Sequence, residues 1–294
     1  MPRIVSRRGL LIGGAVAAPA AIALTQARQA SAAPSLAGKT ILVTGAASGF
    51  GNLGALHYAR QGAKVIATMR NLPRPEALAL RDAAARDKLD LHIVEIDVLS
   101  EQSVTRGVAE AERIAGGAID VLVNNAGIGI GGPAELQDES ATHLIFDTNV
   151  FGYQRMMRAV LPAMRARRSG LIVNISSQLG RFVIPNFGLY PATKFAVEAL
   201  SEQSAAELQR FGVDVSIIEP GGYPTAIWAK SRRRTAELVQ RTRAALRDAY
   251  GLGSTSSWGS DGGSTDPMDV PRAIAEIIAM APGTRPLRRP VHGG

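Results

Sequence analysis

Residues 40–51 run Thr-Ile-Leu-Val-Thr-Gly-Ala-Ala-Ser-Gly-Phe-Gly, an apolar stretch that passes into a glycine-rich turn and then into a run with helical spacing. Thr40, Ile41, Leu42 and Val43 suit a short strand covered on both faces. Behind them, Gly45, Gly49 and Gly51 let the backbone turn tightly and approach a pyrophosphate, whose charge is met by free N–H groups and the positive end of the following helix. Alone, such glycines say little; directly after the first strand of a βαβ unit they mark a nucleotide loop. Thr44, Gly45, Ser48, Gly49, Phe50 and Gly51 are therefore candidate cofactor contacts.

The same alternation continues along the chain. Short runs rich in Ile, Val and Leu recur near 40–45, 64–69, 91–96, 119–123, 171–176 and 213–218, with a last one near 286–291. Helical periodicity fills the segments near 50–61, 74–88, 101–115, 138–168, 188–211 and 270–280. Strands alternating with helices predict an α/β architecture, a doubly wound parallel sheet of the Rossmann type with helices on both faces. A length of 294 residues with 46% hydrophobic content fits one catalytic domain, taken as residues 33–294. Arg165, Arg167 and Arg168 before Ser169-Gly170 read as a helix end, with cations opposing the dipole and Gly170 taking a left-handed cap. Residues 222–266 depart from the pattern: an arginine-rich helical stretch, Lys230 to Arg247, precedes a Gly/Ser-rich segment from Gly251 to Ser264. A substrate lid and a surface insertion both fit that composition.

Four of the cations behind the formal charge of +8, namely Arg3, Arg7, Arg8 and Arg28, fall in residues 1–32, which hold no acid. The remaining arginines are scattered over helices without a basic stripe interleaved with aromatics, so nucleic acid is not an expected partner. With no cysteine, the chain has no disulfide, thiolate metal site or cysteine nucleophile. Ser6-Arg7-Arg8-Gly9-Leu10-Leu11, an uncharged stretch to Ala27 and the small-x-small pattern Ala30-Ser31-Ala32 resemble a twin-arginine export signal. The expectation is a signal peptide over 1–32, passage through the twin-arginine translocase and a periplasmic or extracellular mature protein. Anchoring by an uncleaved signal and a cytoplasmic pool are the alternatives.

Three further segments stand in order: Asn124-Asn125-Ala126-Gly127 after the fourth strand, Tyr190-Pro191-Ala192-Thr193-Lys194, and Pro220-Gly221 followed by Thr225. Tyr190 and Lys194, four apart at the start of a predicted helix, project from one face. A phenol transfers protons poorly at neutral pH, and a nearby ammonium favours the phenolate and lowers its pKa. Tyr190 is accordingly the candidate general acid for carbonyl reduction and general base for alcohol oxidation.

This ordered set, with T-G-x-x-x-G-x-G at Thr44–Gly51, resembles the short-chain dehydrogenase/reductase family over roughly residues 37–291. The resemblance implies hydride transfer between a nicotinamide cofactor and a carbonyl or alcohol carbon of a small molecule. It places Lys194 on the nicotinamide ribose and Ser177, thirteen residues before Tyr190, on the substrate oxygen. It gives Asn149 the role of distorting a helix and holding a water that connects Lys194 to solvent. Asp97 would meet the adenine amino group with the Val98 backbone beside it, and Asn125, Ala126, Gly127, Pro220, Gly221 and Thr225 complete the cofactor cleft, while Asn124 stabilises the central sheet.

Family members that bind NAD carry an acid at the end of the second strand; here Met69 stands at that position and Arg70 follows, whose guanidinium suits a 2′-phosphate. NADP is the expected cofactor and NAD the second choice. The basic residue that some NADP-dependent members place just before the second glycine is absent, since Ser48 stands there. The rival reading is a catalytically silent NADP-binding redox sensor or scaffold on the same fold. A hydrolase would need a G-x-S-x-G elbow, which is missing, and His57, His92, His143 and His292 form no H-E-x-x-H site, so no metal is expected. Phe182, Phe187, Tyr223, Ile227 and Trp228 are expected to line an apolar pocket for a steroid-, retinoid- or lipid-like carbonyl. A homo-oligomer is expected.

Overall fold

The computed structural model describes residues 35–252 and 261–292; the proposed signal over 1–32 and most of the Gly/Ser-rich segment lie outside them. Seven strands form one sheet in the order β3-β2-β1-β4-β5-β6-β7, every neighbouring pair parallel. They are β1 (Thr40–Val43), β2 (Lys64–Met69), β3 (Leu91–Glu95), β4 (Val121–Asn124), β5 (Gly170–Ile175), β6 (Val213–Pro220) and β7 (Arg288–Val291). The helices between them are α1 (Gly49–Arg60), α2 (Pro75–Arg86), α3 (Glu101–Ala115), α4 (Glu139–Phe146), α5 (Gly152–Ala166), α6 (Tyr190–Leu208), α7 (Ala226–Arg241), α8 (Ala244–Ala249) and α9 (Asp269–Ala279).

The period of two along each strand builds two cores. Ile41 and Val43 of β1, with Leu171, Val173 and Ile175 of β5, pack on one face against Ala55 and Tyr58 of α1 and Ile274 and Ile278 of α9. Leu42 and Ile172, one residue out of step, pack on the other against Val104 and Val108 of α3 and Met156 and Val160 of α5. A sheet covered on both faces needs apolar residues at successive positions, which is why its strands carry no polar alternation. Winding runs outward in opposite directions from β1 and β4, and the crevice between their carboxyl ends is where such sheets bind ligands.

Three local expectations change. The helix read over 138–168 is two helices, α4 and α5, separated by a π turn at Asp147–Phe151. At the end of α5 the left-handed residue is Arg168, φ 54°, whereas Gly170 already begins β5; Arg167 is held by the Ala118 and Ile119 carbonyls and Asp120. Within 222–266, the described part holds two helices, α7 and α8.

Candidate active site

The glycine loop is shaped by the turn that follows β4. Gly45 (φ 69°) and Gly49 (φ 57°) take the left-handed conformation. A Cβ on Gly45 would lie 2.8 Å from Ala126 Cα, and one on Gly51 would lie 2.4 Å from Asn125 Nδ2 and 2.7 Å from the Gly45 oxygen. Thr44 Oγ1 accepts from the amides of Asn125 (2.9 Å) and Ala126 (3.0 Å), and Asn125 Nδ2 donates to the Thr44 carbonyl (2.8 Å). The polar atoms of Thr44 and Asn125 thus lock the two loops together. Ser48, at the N-cap of α1, makes no capping bond, so the first amides of that helix have no side-chain partner from it. A close-packed glycine floor beneath uncapped helix amides fits a pyrophosphate.

At the end of β2, Met69 is buried in the core and Arg70 is exposed. Beyond β3, the Asp97 carboxylate accepts from the Leu99 amide (3.1 Å), while the cap of α3 is Ser100, whose hydroxyl accepts from Ser103 N (3.2 Å). Asp97 is therefore not a helix cap. Its neighbour Val98 is buried, with its carbonyl taken by Arg155 (3.0 Å).

Strand β5 and helix α6 bring the proton-transfer residues together. Ser177 lies two residues beyond β5, and its Oγ accepts from the Leu179 amide (3.1 Å), leaving its own proton for another acceptor. Tyr190 opens α6, and one turn later Lys194, 3% exposed, donates to the Ile175 carbonyl (2.7 Å). The ammonium lies 5.6 Å from the ring centroids of both Tyr190 and Tyr153, and Tyr153 Oη donates to the same Ile175 carbonyl (3.1 Å). Burial pushes the Tyr190 phenol up to about 12, and a hydrogen bond with Ser177 opposes this in part. Lys194, itself brought low by burial, has lost its charge in the pH range where so buried a phenol would ionise. Burial also brings Lys194 down to about 7 against the attraction of Glu198.

Asn149 sits in the π turn, fully buried, with Oδ1 accepting from Ile128 N (2.8 Å) and Nδ2 donating to Ile128 O (2.9 Å) and Thr193 Oγ1 (3.1 Å). It ties the turn after β4 to the residue beside Lys194. Asn124 stabilises the central sheet as expected, through partners that sequence reasoning missed along with two further supporting features. Asn124 donates to Asn174 (2.9 Å), which donates to Ser201 of α6 (2.9 Å), a buried polar row fastening β4, β5 and the catalytic helix. Tyr153 cups Lys194 from α5. Glu198 and Glu219 are buried around Arg288, with Glu198 Oε2 at 3.0 Å and Glu219 Oε1 at 3.5 Å. An Asn inside the apolar run Leu171–Ile175 was the one visible signal among these.

With this geometry in place, comparison with known proteins is decisive. Residues 39–236 match the short chain dehydrogenase family. The chain belongs to that family. It is 38% identical to retinol dehydrogenase 8 of Bos taurus over 261 residues, spanning 85% of this chain and 80% of that protein. It is 41% identical to the 3-ketodihydrosphingosine reductase of Bacteroides thetaiotaomicron over 201 residues, 68% of each. Among solved structures, a short chain dehydrogenase/reductase from Burkholderia phymatum in complex with NAD is 28% identical with a TM-score of 0.70, covering 83% of this chain and 86% of that one. The chain is accordingly an oxidoreductase of alcohol and carbonyl groups whose fold binds NAD or NADP.

On the substrate side of this short-chain dehydrogenase, Phe187 meets Trp228 edge to face, centroids 6.5 Å apart. Of the other expected lining residues, Tyr223 is buried edge-on against Phe50 of the glycine loop (5.5 Å), and Phe182 stands out with Val183 and Ile184 as an exposed apolar run. Beyond β6, Gly221 pairs with Val291 (N–H to O, 2.8 Å), and Thr225 at the start of α7 comes to 3.5 Å from a Cβ built on Gly49. Among the described residues, no three His, Cys, Asp or Glu side chains gather as metal ligands, and no helix is long and apolar enough to cross a membrane.

Proposed function

We propose that the protein is an NADP-dependent dehydrogenase/reductase acting on an apolar, lipid-like alcohol or ketone. The observation that carries the cofactor choice is Met69 buried where an acid would face the ribose, with Arg70 exposed beside it. A guanidinium pairs with a 2′-phosphate, whereas an acid there would repel it. The apolar substrate is supported by the Phe187–Trp228 pair and by the retinol and 3-ketodihydrosphingosine of the relatives' names.

The glycine loop, Arg70, Asp97, Lys194 and the Pro220–Thr225 segment hold the nucleotide, which supplies or accepts the hydride when bound. The protein manages the proton. A phenol that stays protonated at neutral pH is suited to donate from Tyr190 Oη to a carbonyl oxygen, and Ser177 Oγ donates to the same oxygen as charge builds on it. For alcohol oxidation the proton passes to the phenolate form of Tyr190, a form that burial disfavours at neutral pH, so the geometry suits carbonyl reduction better. A silent sensor would have no use for this set, so catalysis is the better reading.

A panel of retinoid, steroid and long-chain ketones and alcohols, assayed with both nicotinamides by near-ultraviolet absorbance, tests the proposal. Turnover of apolar substrates with NADPH favoured over NADH supports it; equal use of the two cofactors removes the NADP assignment, and turnover confined to small polar substrates removes the lipid assignment. We also propose that residues 1–32 direct export through the twin-arginine route, the domain having folded around its nucleotide first. Replacing Arg7 and Arg8 by lysine should retain the protein in the cytoplasm, and unchanged distribution would contradict export. Light scattering of the purified protein tests the expected homo-oligomer.

A further inference from the structure

Helix α7 reaches the nucleotide loop from the far end of the sequence. Its start packs on the loop through Thr225 and Gly49, and one turn in, Lys230 Nζ donates to Ser48 Oγ at 2.7 Å across a separation of 182 residues. Ser48 is the position just before the second glycine, where a cation was expected for NADP and not found in the sequence. One turn further, Arg234 donates to the Lys230 carbonyl (3.3 Å), and burial first, then the neighbouring cations Arg233 and Arg70, lower its pKa against the attraction of Glu237. From the opposite wall, Arg74 donates to the Arg70 carbonyl (3.3 Å) and is neutralised by Glu76 through two bonds of 2.9 Å.

The charge balance of this corner is uneven. Among the described residues, Arg70, Lys230 and Arg234 have no acidic group within ion-pair distance, and Glu76 serves Arg74. Lys230 and Arg234 are half-buried, which strengthens the repulsion among them relative to solvated cations. Burial and the neighbouring Arg74 depress Lys230, the response of an ammonium held among like charges. Cations that outnumber the nearby acids Glu76 and Glu237 at the rim of a nucleotide loop are arranged for an anion of more than one charge.

We infer that α7 completes the cofactor-selecting site: Lys230, with Arg234 beside it, joins Arg70 in binding the 2′-phosphate of NADP. This inference rests on the NADP assignment above and adds residues to it. Lys230 exchanges its bond to Ser48 for a charge-assisted bond to phosphate, and the Ser48 hydroxyl is then free to donate to the same group.

Binding titrations of the purified protein with NADPH, NADH, 2′,5′-ADP and 5′-AMP test it without turnover. Lys230→Gln should weaken NADPH and 2′,5′-ADP about tenfold or more and move NADH and 5′-AMP less than about twofold. The loss should narrow as salt is raised. Lys230→Arg should restore most of the affinity, and unchanged melting curves would exclude misfolding as the cause. Equal weakening of both pairs of ligands, or no change with NADPH, would overturn the inference. Should wild type prefer NADPH and Arg70→Ala abolish that preference while Lys230→Gln keeps it, the α7 site alone fails. A wild-type protein that binds NADH as tightly as NADPH would instead overturn the NADP assignment, and the α7 site with it.

Discussion

At the catalytic end of the cleft, Ser177, Tyr190 and Lys194 come from one strand end and one adjoining helix; Lys194 reaches back only 19 residues to its carbonyl partner, Ile175. At the cofactor-selecting end, Ser48 and Lys230 meet across 182 residues, and the participating cations are half-buried or exposed. The first region is held by buried polar bonds that leave few alternatives: Asn124–Asn174–Ser201 beneath it, and Asn149 and Tyr153 beside it. The second is held by charge, with weak packing and much solvent. The contrast teaches a division of labour, because proton transfer needs rigid placement whereas a phosphate needs charge and reach.

Changes at the catalytic end are expected to cost most. Tyr190→Phe keeps the ring and removes the transferable proton, so turnover should fall at least about a hundredfold, with the melting curve and nucleotide binding retained. Stopped or steady-state kinetics beside a thermal melt check both halves. Next in size, Gly51→Ala places a methyl against Asn125 and the Gly45 carbonyl, and the strain should weaken both nicotinamides alike by about tenfold. If it weakened NADPH alone, the methyl would be disturbing the Ser48–Lys230 corner and not the pyrophosphate floor.

Stability reports on the same contrast. Asn174→Ala orphans the Asn124 amide and removes the bond that Ser201 accepts, while Ser201 keeps its own donation to Val197, at a cost of about 1–3 kcal/mol in denaturant unfolding. Removing Arg70 from the exposed end should leave stability unchanged. The smallest effect is opposite in sign. Lys194 is held at about 7 by burial, below the value of a free lysine, so charging it opposes folding. That penalty is complete below pH 7, fades as pH rises and is gone near the free lysine value. Lys194→Met should therefore stabilise the fold at pH 6, on the order of 1 kcal/mol after relaxation of the buried charge, and by less at pH 9, while abolishing activity. A variant stabilised more at pH 9 than at pH 6 would contradict the burial argument.

What could be read from the sequence followed how local each feature is. The sheet and the Ser177–Tyr190–Lys194 group were legible because strand periodicity and a spacing of four within one helix are fixed by backbone geometry. The distortion at Asn149 was expected only through the family resemblance, since an apolar period continues through the π turn and only the hydrogen-bond pattern changes. Lys230 was read as one of several cations on a solvated helix, because no period or spacing links it to Ser48; only the packing of α7 on the glycine loop does. Tyr223 was ambiguous for a similar reason, as an aromatic after β6 can face a substrate or, as here, pack on Phe50.

The separation of the two ends is tested most directly by steady-state reduction of one apolar ketone with NADPH and with NADH in wild type, Tyr190→Phe and Arg70→Ala. Tyr190→Phe is predicted to lower kcat by the same factor with both cofactors and to leave both KM values in place. Arg70→Ala is predicted to raise KM for NADPH about tenfold while kcat and the NADH values stay within about twofold. Near-normal kcat in Tyr190→Phe, or an Arg70→Ala protein impaired equally with both cofactors, would contradict that separation.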